Sequence, residues 1–426
     1  MRRPILSVLL ASLALAPAAW SDCLFVNNND DPNSVTAFLI AADGTLTPAA
    51  GSPFATGWGG GFTAHIDSVA LAPGGSRLYV TNAFPIGGGG DRGPGSRSAG
   101  DAPGGDGTET GAVAGFDISP TCALTPIAGS PWTVGDCATG VEIAPSGGFL
   151  YVANFCSDSI SIFSIGAAGE LAEIGASPIA VPDSPFDLQI SPDGARLFVS
   201  HDFLSAVGVY ALAGDGSFSP IGGSPFSAGG TEHGLALDPT GARLYVADLG
   251  PNTLSGFAIG GGGALSALPG SPYGAGEVIE ALPSPAGDLL FASNNADDTL
   301  GVYSVAGDGS LAPVAGSPFA ADDGPAGLAI HPDGTFLFVA NGGFGGANSV
   351  SVYSVGAGGA IAAIGGSPFT SGAANGEANG IAYWVNPEGF VPVTWVDVPA
   401  LGPAGLALLA GGLALAAGAA LRRRRA

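Results

Sequence analysis

Glu232 and His233 are the neighbouring pair in this chain best suited to chemistry. An imidazole can take a proton from water or a hydroxyl while an adjacent carboxylate holds it in position. Three further acids, Asp67, Asp187 and Glu280, stand with His65 at the starts of similar short apolar segments. An oxygen-rich set made of Asp67, Asp187, Glu232 and Glu280 would suit Ca²⁺, which prefers carboxylate and carbonyl ligands. These residues are spread over half of the chain, so either chemistry requires a fold that keeps returning to one place.

Such a fold is written in repeats. The stretch from Gly234 to Tyr273 contains four short apolar segments, GLAL, RLYVA, TLSGFAI and ALSAL, separated by Pro, Gly and Asn turn signals. A Gly-Ser-Pro-aromatic marker, degenerate in one copy, places prolines at Pro53, Pro131, Pro178, Pro225, Pro272, Pro318 and Pro368, with spacings of 78, 47, 47, 47, 46 and 50. A second marker of the LYVAN type recurs at 24–28, 78–82, 150–154, 197–201, 244–248, 290–294 and 337–341. Two markers give the same count, and a period near 47 with four strands per unit predicts an all-β, seven-bladed β-propeller with four antiparallel strands per blade.

We name the strands A (GLAL), B (RLYVA), C (TLSGFAI) and D (ALSAL). The first repeat opens at its B strand, Leu24–Val26, and the last ends on an orphan A strand, Gly380–Val385. Joined, they complete one blade from both termini and leave no open sheet edge. The aromatic of the Gly-Ser-Pro marker is expected to pack between adjacent blades. The first interval is about 31 residues too long, the excess being PIGGGGDRGPGSRSAGDAPGGDGTETG, 85–111. Its lack of apolar residues predicts a disordered insertion in a B–C loop.

The ends read differently from the middle. Residues 1–21 carry two arginines, an apolar stretch and small residues, the pattern of a secretory signal peptide. The propeller is expected over 22–390, a linker with a sorting motif over 391–403, and an apolar tail over 404–426 that ends in Arg422–Arg425. Eighteen apolar residues, Ala404–Leu421, approach the length of a membrane span with the arginines on the cytoplasmic side. VPALGPAGLALL followed by LRRRRA is similar to the bacterial sorting signals of the IPTL and PEP-CTERM type, although it lacks their Pro-Glu-Pro. Anchoring and cleavage both stay open at this point. Either one places the body outside the cytoplasm: periplasmic, at the cell surface or secreted, in contact with a membrane through its tail at least transiently.

Charge narrows the partners. The chain has no lysine, and its body keeps five arginines, Arg77, Arg92, Arg97, Arg196 and Arg243, against 35 acids in the whole sequence. A surface about 30 charges negative repels nucleic acid and anionic lipid. No nucleic-acid partner is expected, and the protein is expected to be a monomer.

Antiparallel alternation puts the starts of the A strands and the B–C loops at one end of the ring, and the A–B and C–D turns at the other. The first end then collects Asp30, Asp31, Asp158, His201, Asp202, Asp248, Asp297 and Asp298 from the loops. From the approaches to the A strands it collects His65, Asp67, Asp187, Glu232, His233, Glu277, Glu280 and Glu377. A solvated acidic rim is one reading, since Asp and Asn suit turns for their own reasons. The sharper one is that Asp67, Asp187, Glu232, His233 and Glu280 occupy equivalent positions and line the channel mouth, with His65 beside them. His331, in an A–B turn at the other end, is expected to cap that turn.

The same geometry sets Cys137, just before an A strand, beside Cys156, just after the following B strand. Cys23 and Cys122 remain as the second pair, in neighbouring blades at the opposite end. An even cysteine count fits an oxidising compartment.

The repeats SPDGARLFVS and SIFSIGAAGELAEIGASP resemble the YVTN-type repeats of the seven-bladed lactonase-like propellers, which include 6-phosphogluconolactonase-like proteins. The resemblance covers roughly residues 23–385 and implies lactone hydrolysis. Phosphate recognition needs Arg, Lys or a helix N-terminus. Arg77, Arg196 and Arg243 instead share one repeat position at the far end, so a neutral lactone is the expected substrate, with His233 as base and Glu232 orienting it. The alternative is a non-catalytic cell-surface or periplasmic propeller that binds a partner through its acidic mouth. No GxSxG elbow or CxxCH haem motif opens another route.

Overall fold

The computed structural model describes residues 22–28, 33–57, 68–82, 110–230, 232–342, 348–372 and 378–384, and of Glu232 and Asn379 the backbone alone. The signal peptide, nearly all of the insertion, residues 385–390, the linker and the tail lie outside the described residues, as do Asp30, Asp31, His65, Asp67, Arg92, Arg97 and Glu377. The expected insertion ends two residues earlier than its composition suggests, because Thr110 and Gly111 already belong to a C strand, Thr110–Ile118. Among the described residues no helix is long and apolar enough to cross a membrane.

Seven antiparallel sheets form seven blades. Blade four is representative: A is Pro185–Ile190, B is Arg196–His201, C is Ala206–Leu212 and D begins as Phe218–Pro220. The B strands are buried along nearly their whole length, because each lies in the middle of a sheet covered on both faces by its neighbours. That is why they read as unbroken Leu, Tyr, Phe and Val rather than as an apolar–polar alternation.

The D strand departs from a simple four-strand picture. It comes in two pieces that both pair with C; in blade four the second piece is Phe226–Ser227. The Gly-Ser-Pro marker fills the gap between them. In all seven blades its serine Oγ accepts a hydrogen bond from a C-strand amide at 2.8–2.9 Å, as Ser224 does from Val209. The marker therefore satisfies the amide that the break in D would strand. Its aromatic sits on the second piece, where Phe226 packs against the cluster joining Val207 and Val209 of blade four to Leu235 and Leu244 of blade five.

The ring closes on itself. Asp22–Asn28 pairs with the terminal A strand, Ala378–Trp384, with Leu24 opposite Tyr383 and Val26 opposite Ile381. Tyr383 donates to the Asp22 carboxylate, and His331 Nε2 lies 3.7 Å from the same group. His331 also accepts the Asp333 amide at 3.2 Å, the turn-capping contact expected of it.

Cys23 is joined to Cys122 and Cys137 to Cys156. The first disulfide ties the closing sheet to the C–D turn of blade two. The second lies within blade three.

Adjacent blades are also stapled at the A–B end. The Arg77 Nη2 donates to the Ala167 carbonyl at 2.6 Å, Arg196 Nε to Gly262 at 3.3 Å, and Arg243 Nη2 to the Gly307 carbonyl. Tyr79, Tyr151 and Tyr245 donate to Gly169, Gly216 and Gly309 in the C–D turns of blades three, four and six. Each arginine of the repeat position thus serves the next blade's C–D turn.

Candidate functional site

At the other end of the ring, the ladder registers fix which residues are equivalent. Val141, Leu188, Leu235, Ala281 and Leu328 each pair with the third residue of their own LYVAN-type marker. The residue before each of these is Gly140, Asp187, Gly234, Glu280 or Gly327, and two before is Thr139, Phe186, His233, Ile279 or Ala326. Asp187 and Glu280 therefore share one position, His233 stands one residue earlier in its own blade, and Glu232 one earlier again. Asp187 and Glu280 stand where four other blades carry glycine, Gly380 of the closing strand included.

Those two carboxylates are structural clasps. Asp187 is fully buried, with Oδ1 accepting from the Leu188 amide at 2.6 Å and Oδ2 from the Leu235 amide of the next blade at 2.7 Å. Glu280 Oε2 repeats the cross-blade contact, accepting from the Leu328 amide at 3.2 Å. Asp187→Ala would leave two buried amides without their acceptors, and is expected to lower stability by roughly 2–5 kcal/mol in urea unfolding. An unchanged midpoint would show that the clasp is dispensable.

The calcium set is not assembled by what is described. Asp187 and Glu280 are spent on amides, the side chains of Asp67 and Glu232 lie outside the description, and no group of three or more His, Cys, Asp or Glu among the described residues is arranged to hold a metal. Other rim acids also serve turns. Asp158 and Asp298, both at positive φ, accept from Ser184 and Gly324, and Asp297 accepts from Glu277.

His233 is different. It is 2 % exposed, its ring stacks on Phe186 at 4.6 Å and 24°, and its Nε2 lies 3.6 Å from Asp202 Oδ1. Ser200 Oγ, which accepts the Asp187 amide, donates to the His233 carbonyl at 2.8 Å and fixes its backbone. Neither carboxylate oxygen of Asp202 nor His233 Nε2 has a hydrogen-bond partner. A buried carboxylate and an imidazole so placed cost several kcal/mol in a core that gains nothing from them.

Asp202 is thus the acid facing the imidazole among the described side chains; the side chain of Glu232, the expected orienting acid, lies outside the description, and its backbone pairs with Asp248. The residue had a signal of its own. The position just after the B strand is Phe155, Asp202, Leu249, Asn295 and Gly342 in successive blades, with one carboxylate among them.

Among the described residues an apolar cluster adjoins this pair. Phe186, Ile279 and Ala326, with Phe155 and Leu249 packed on them, form a cluster drawn from five consecutive blades. The A strands also line a half-open cavity of about 200 Å³, with Val69, Leu235, Leu328 and Ile381 on its wall beside Gln189 and Glu280.

His201 sits one residue before Asp202 at a position occupied by Asn in Asn154, Asn294 and Asn341. Those asparagines donate to C-strand hydroxyls, such as Ser159 and Ser161 for Asn154. Opposite His201 the corresponding residues are Ala206 and Gly208, which make room for the larger ring. At Asp248 the hydroxyls of Thr253 and Ser255 turn round and donate to the carboxylate, each at 2.8 Å. Burial nevertheless pushes the Asp248 carboxyl up from its usual range.

Burial pushes His201 down to about 4. The native state therefore keeps it neutral while the unfolded chain protonates it near its ordinary value of about 6.5. Its contribution is fully present above about pH 6.5 and is lost as pH falls toward 4, amounting to about 3 kcal/mol. His201→Asn should flatten this part of the stability–pH curve in urea titrations between those limits. Parallel curves for the two proteins would refute the assignment.

Residues 112–224 and 227–371 match the family described as lactonase, 7-bladed beta-propeller. The chain belongs to that family. No curated protein matches this lactonase-family propeller in sequence. Among solved structures, it is similar to the periplasmic gluconolactonase of Pseudomonas aeruginosa, with 21 % identity, TM-score 0.62, and coverage of 86 % of this chain and 99 % of that one. It is also similar to a candidate 6-phosphogluconolactonase from Bacteroides fragilis, with 17 % identity, TM-score 0.63, and coverage of 87 % and 99 %. A protein from Lactobacillus plantarum superposes equally well, with 17 % identity, TM-score 0.63, and coverage of 86 % and 99 %. At these identities the likeness extends to the fold.

Proposed function

We propose that this lactonase-family propeller is an exported hydrolase of a neutral lactone, working at the channel mouth with His233 as general base and Asp202 as the acid that orients it. The observation that carries this reading is the buried pair itself, 3.6 Å apart, with His233 Nε2 and both Asp202 carboxylate oxygens left without hydrogen bonds by the fold. His233 Nε2 takes a proton from water, and the water oxygen adds to the lactone carbonyl carbon. The ring C–O bond then breaks, and the same proton passes to the departing alkoxide, giving a hydroxy acid. Nε2 is covered in this conformation, so the mouth must open for a substrate to reach it.

Neutrality of the substrate rests on charge. The described arginines all serve C–D turns at the opposite end, and the chain has no lysine. Export is supported by two disulfides and by the periplasmic gluconolactonase among the similar structures. The test is a panel of neutral and phosphorylated lactones assayed by acid release. Neutral lactones should be hydrolysed and phosphorylated ones disfavoured; a folded protein inert on the whole panel would overturn the hydrolase reading.

One observation favours a second reading, a non-catalytic surface propeller. His233 and Asp202 are both covered, while Phe203 and Leu204 project from the same loop at 38 % and 41 % exposure. Inertness on the panel would leave this reading in place.

A further inference from the structure

A line of aromatic rings leads from solvent to the buried pair. Phe203, exposed at the rim and adjacent in sequence to Asp202, lies 5.8 Å from Phe155. Phe155 meets Phe186 edge-on at 6.1 Å, and Phe186 stacks on His233. Leu249, Ile279 and Ala326 extend the same apolar surface. Phe203 and Leu204 are also the two exposed large apolar side chains among the described residues. Scattered apolar surface is ordinary, but here it is continuous with the candidate site. A polyhydroxylated sugar lactone would need hydrogen-bonding groups along its length, and Asn295, the one amide at this position among the described residues, already donates to the Pro325 carbonyl.

We infer that the lactone accepted at this mouth carries an apolar substituent, an alkyl or acyl chain that packs along Phe186, Phe155 and Phe203. The inference rests on the lactonase reading of the site and adds the class of substrate. The hydroxy acid released would then be amphiphilic, its carboxylate leaving toward solvent past a rim that repels it.

The test uses the full chain and a series of δ-lactones from δ-valerolactone to δ-undecalactone, with glucono-δ-lactone as the polar competitor. kcat/KM should rise about threefold to fourfold for each added methylene until the chain leaves the aromatic surface. Phe203→Ser should lower the ratio of kcat/KM for δ-decalactone over δ-valerolactone by about tenfold. A ratio insensitive to chain length, or a preference for glucono-δ-lactone, would overturn this inference and leave the lactonase reading standing. Should no lactone turn over, the lactonase reading fails and calorimetry decides the rest. Saturable binding of δ-decalactone that weakens in Phe203→Ser upholds the apolar site, and no binding overturns it.

Discussion

His233→Gln is expected to lower kcat for lactone hydrolysis by roughly 10²–10⁴, because the amide keeps the volume of the ring and cannot take the proton. KM should change little, since the substrate's apolar contacts are made elsewhere. Asp202→Asn should also lower kcat, by a smaller factor, and the double variant should cost about what His233→Gln costs alone, as expected for groups acting as a unit. Stability should move the other way. Removing a buried carboxylate that accepts no hydrogen bond is expected to raise the urea midpoint of Asp202→Asn by an amount equivalent to about 1 kcal/mol. Loss of rate with gain in stability is the mark of a residue kept for function. If His233→Gln retained more than a tenth of the wild-type kcat, the imidazole would not be the base.

The ring was legible in the sequence because its causes are local and repeated. Each B strand must be apolar on both faces, each A–B turn needs its Pro and Gly, and each break in a D strand needs a serine to accept the stranded C-strand amide; all three recur at fixed spacing. Both disulfide partners followed from the same alternation of ends. The site was less legible, for a physical reason. Asp187 and Glu280 look like available carboxylates in one dimension, and their amide partners, Leu235 and Leu328, lie 48 residues away in the next blade. Asp202 looks like one more loop acid, and only the stacking of blade four against blade five puts it opposite His233. The helpful signal lies in the columns of the repeat. His201 departs from Asn together with Ala206 and Gly208, a compensated change that packing explains. Asp202 is the one carboxylate among the described residues of its column, and no neighbouring change compensates it. Uncompensated departures point to function, whereas compensated ones point to the core.

A chain ending at residue 390 is expected to fold, whereas one ending at residue 377 is expected to lose its cooperative transition, because it lacks the A strand of the closing blade. That strand, Ala378–Trp384, buries Ile381 and Trp384 to 8 % and 4 % exposure and pairs along Asp22–Asn28. Burial of the two side chains alone is worth about 5 kcal/mol, comparable with the whole stability of many domains. Its loss also opens an inner sheet edge beside Leu24 and Val26 and breaks the contact of Tyr383 with Asp22. The Cys23–Cys122 bond closes a 99-residue separation and holds the amino-terminal strand to blade two. It contributes about 4–5 kcal/mol by restricting the unfolded chain, yet it cannot replace the missing strand. Thermal scans of both chains, with and without reductant, separate the two effects. Reduction should lower the midpoint of the longer chain by several degrees, and removal of residues 378–390 should abolish its single transition in either redox state. A sharp transition in the shorter oxidised chain would mean that the disulfide, and not the pairing of the two terminal strands, holds the ring shut.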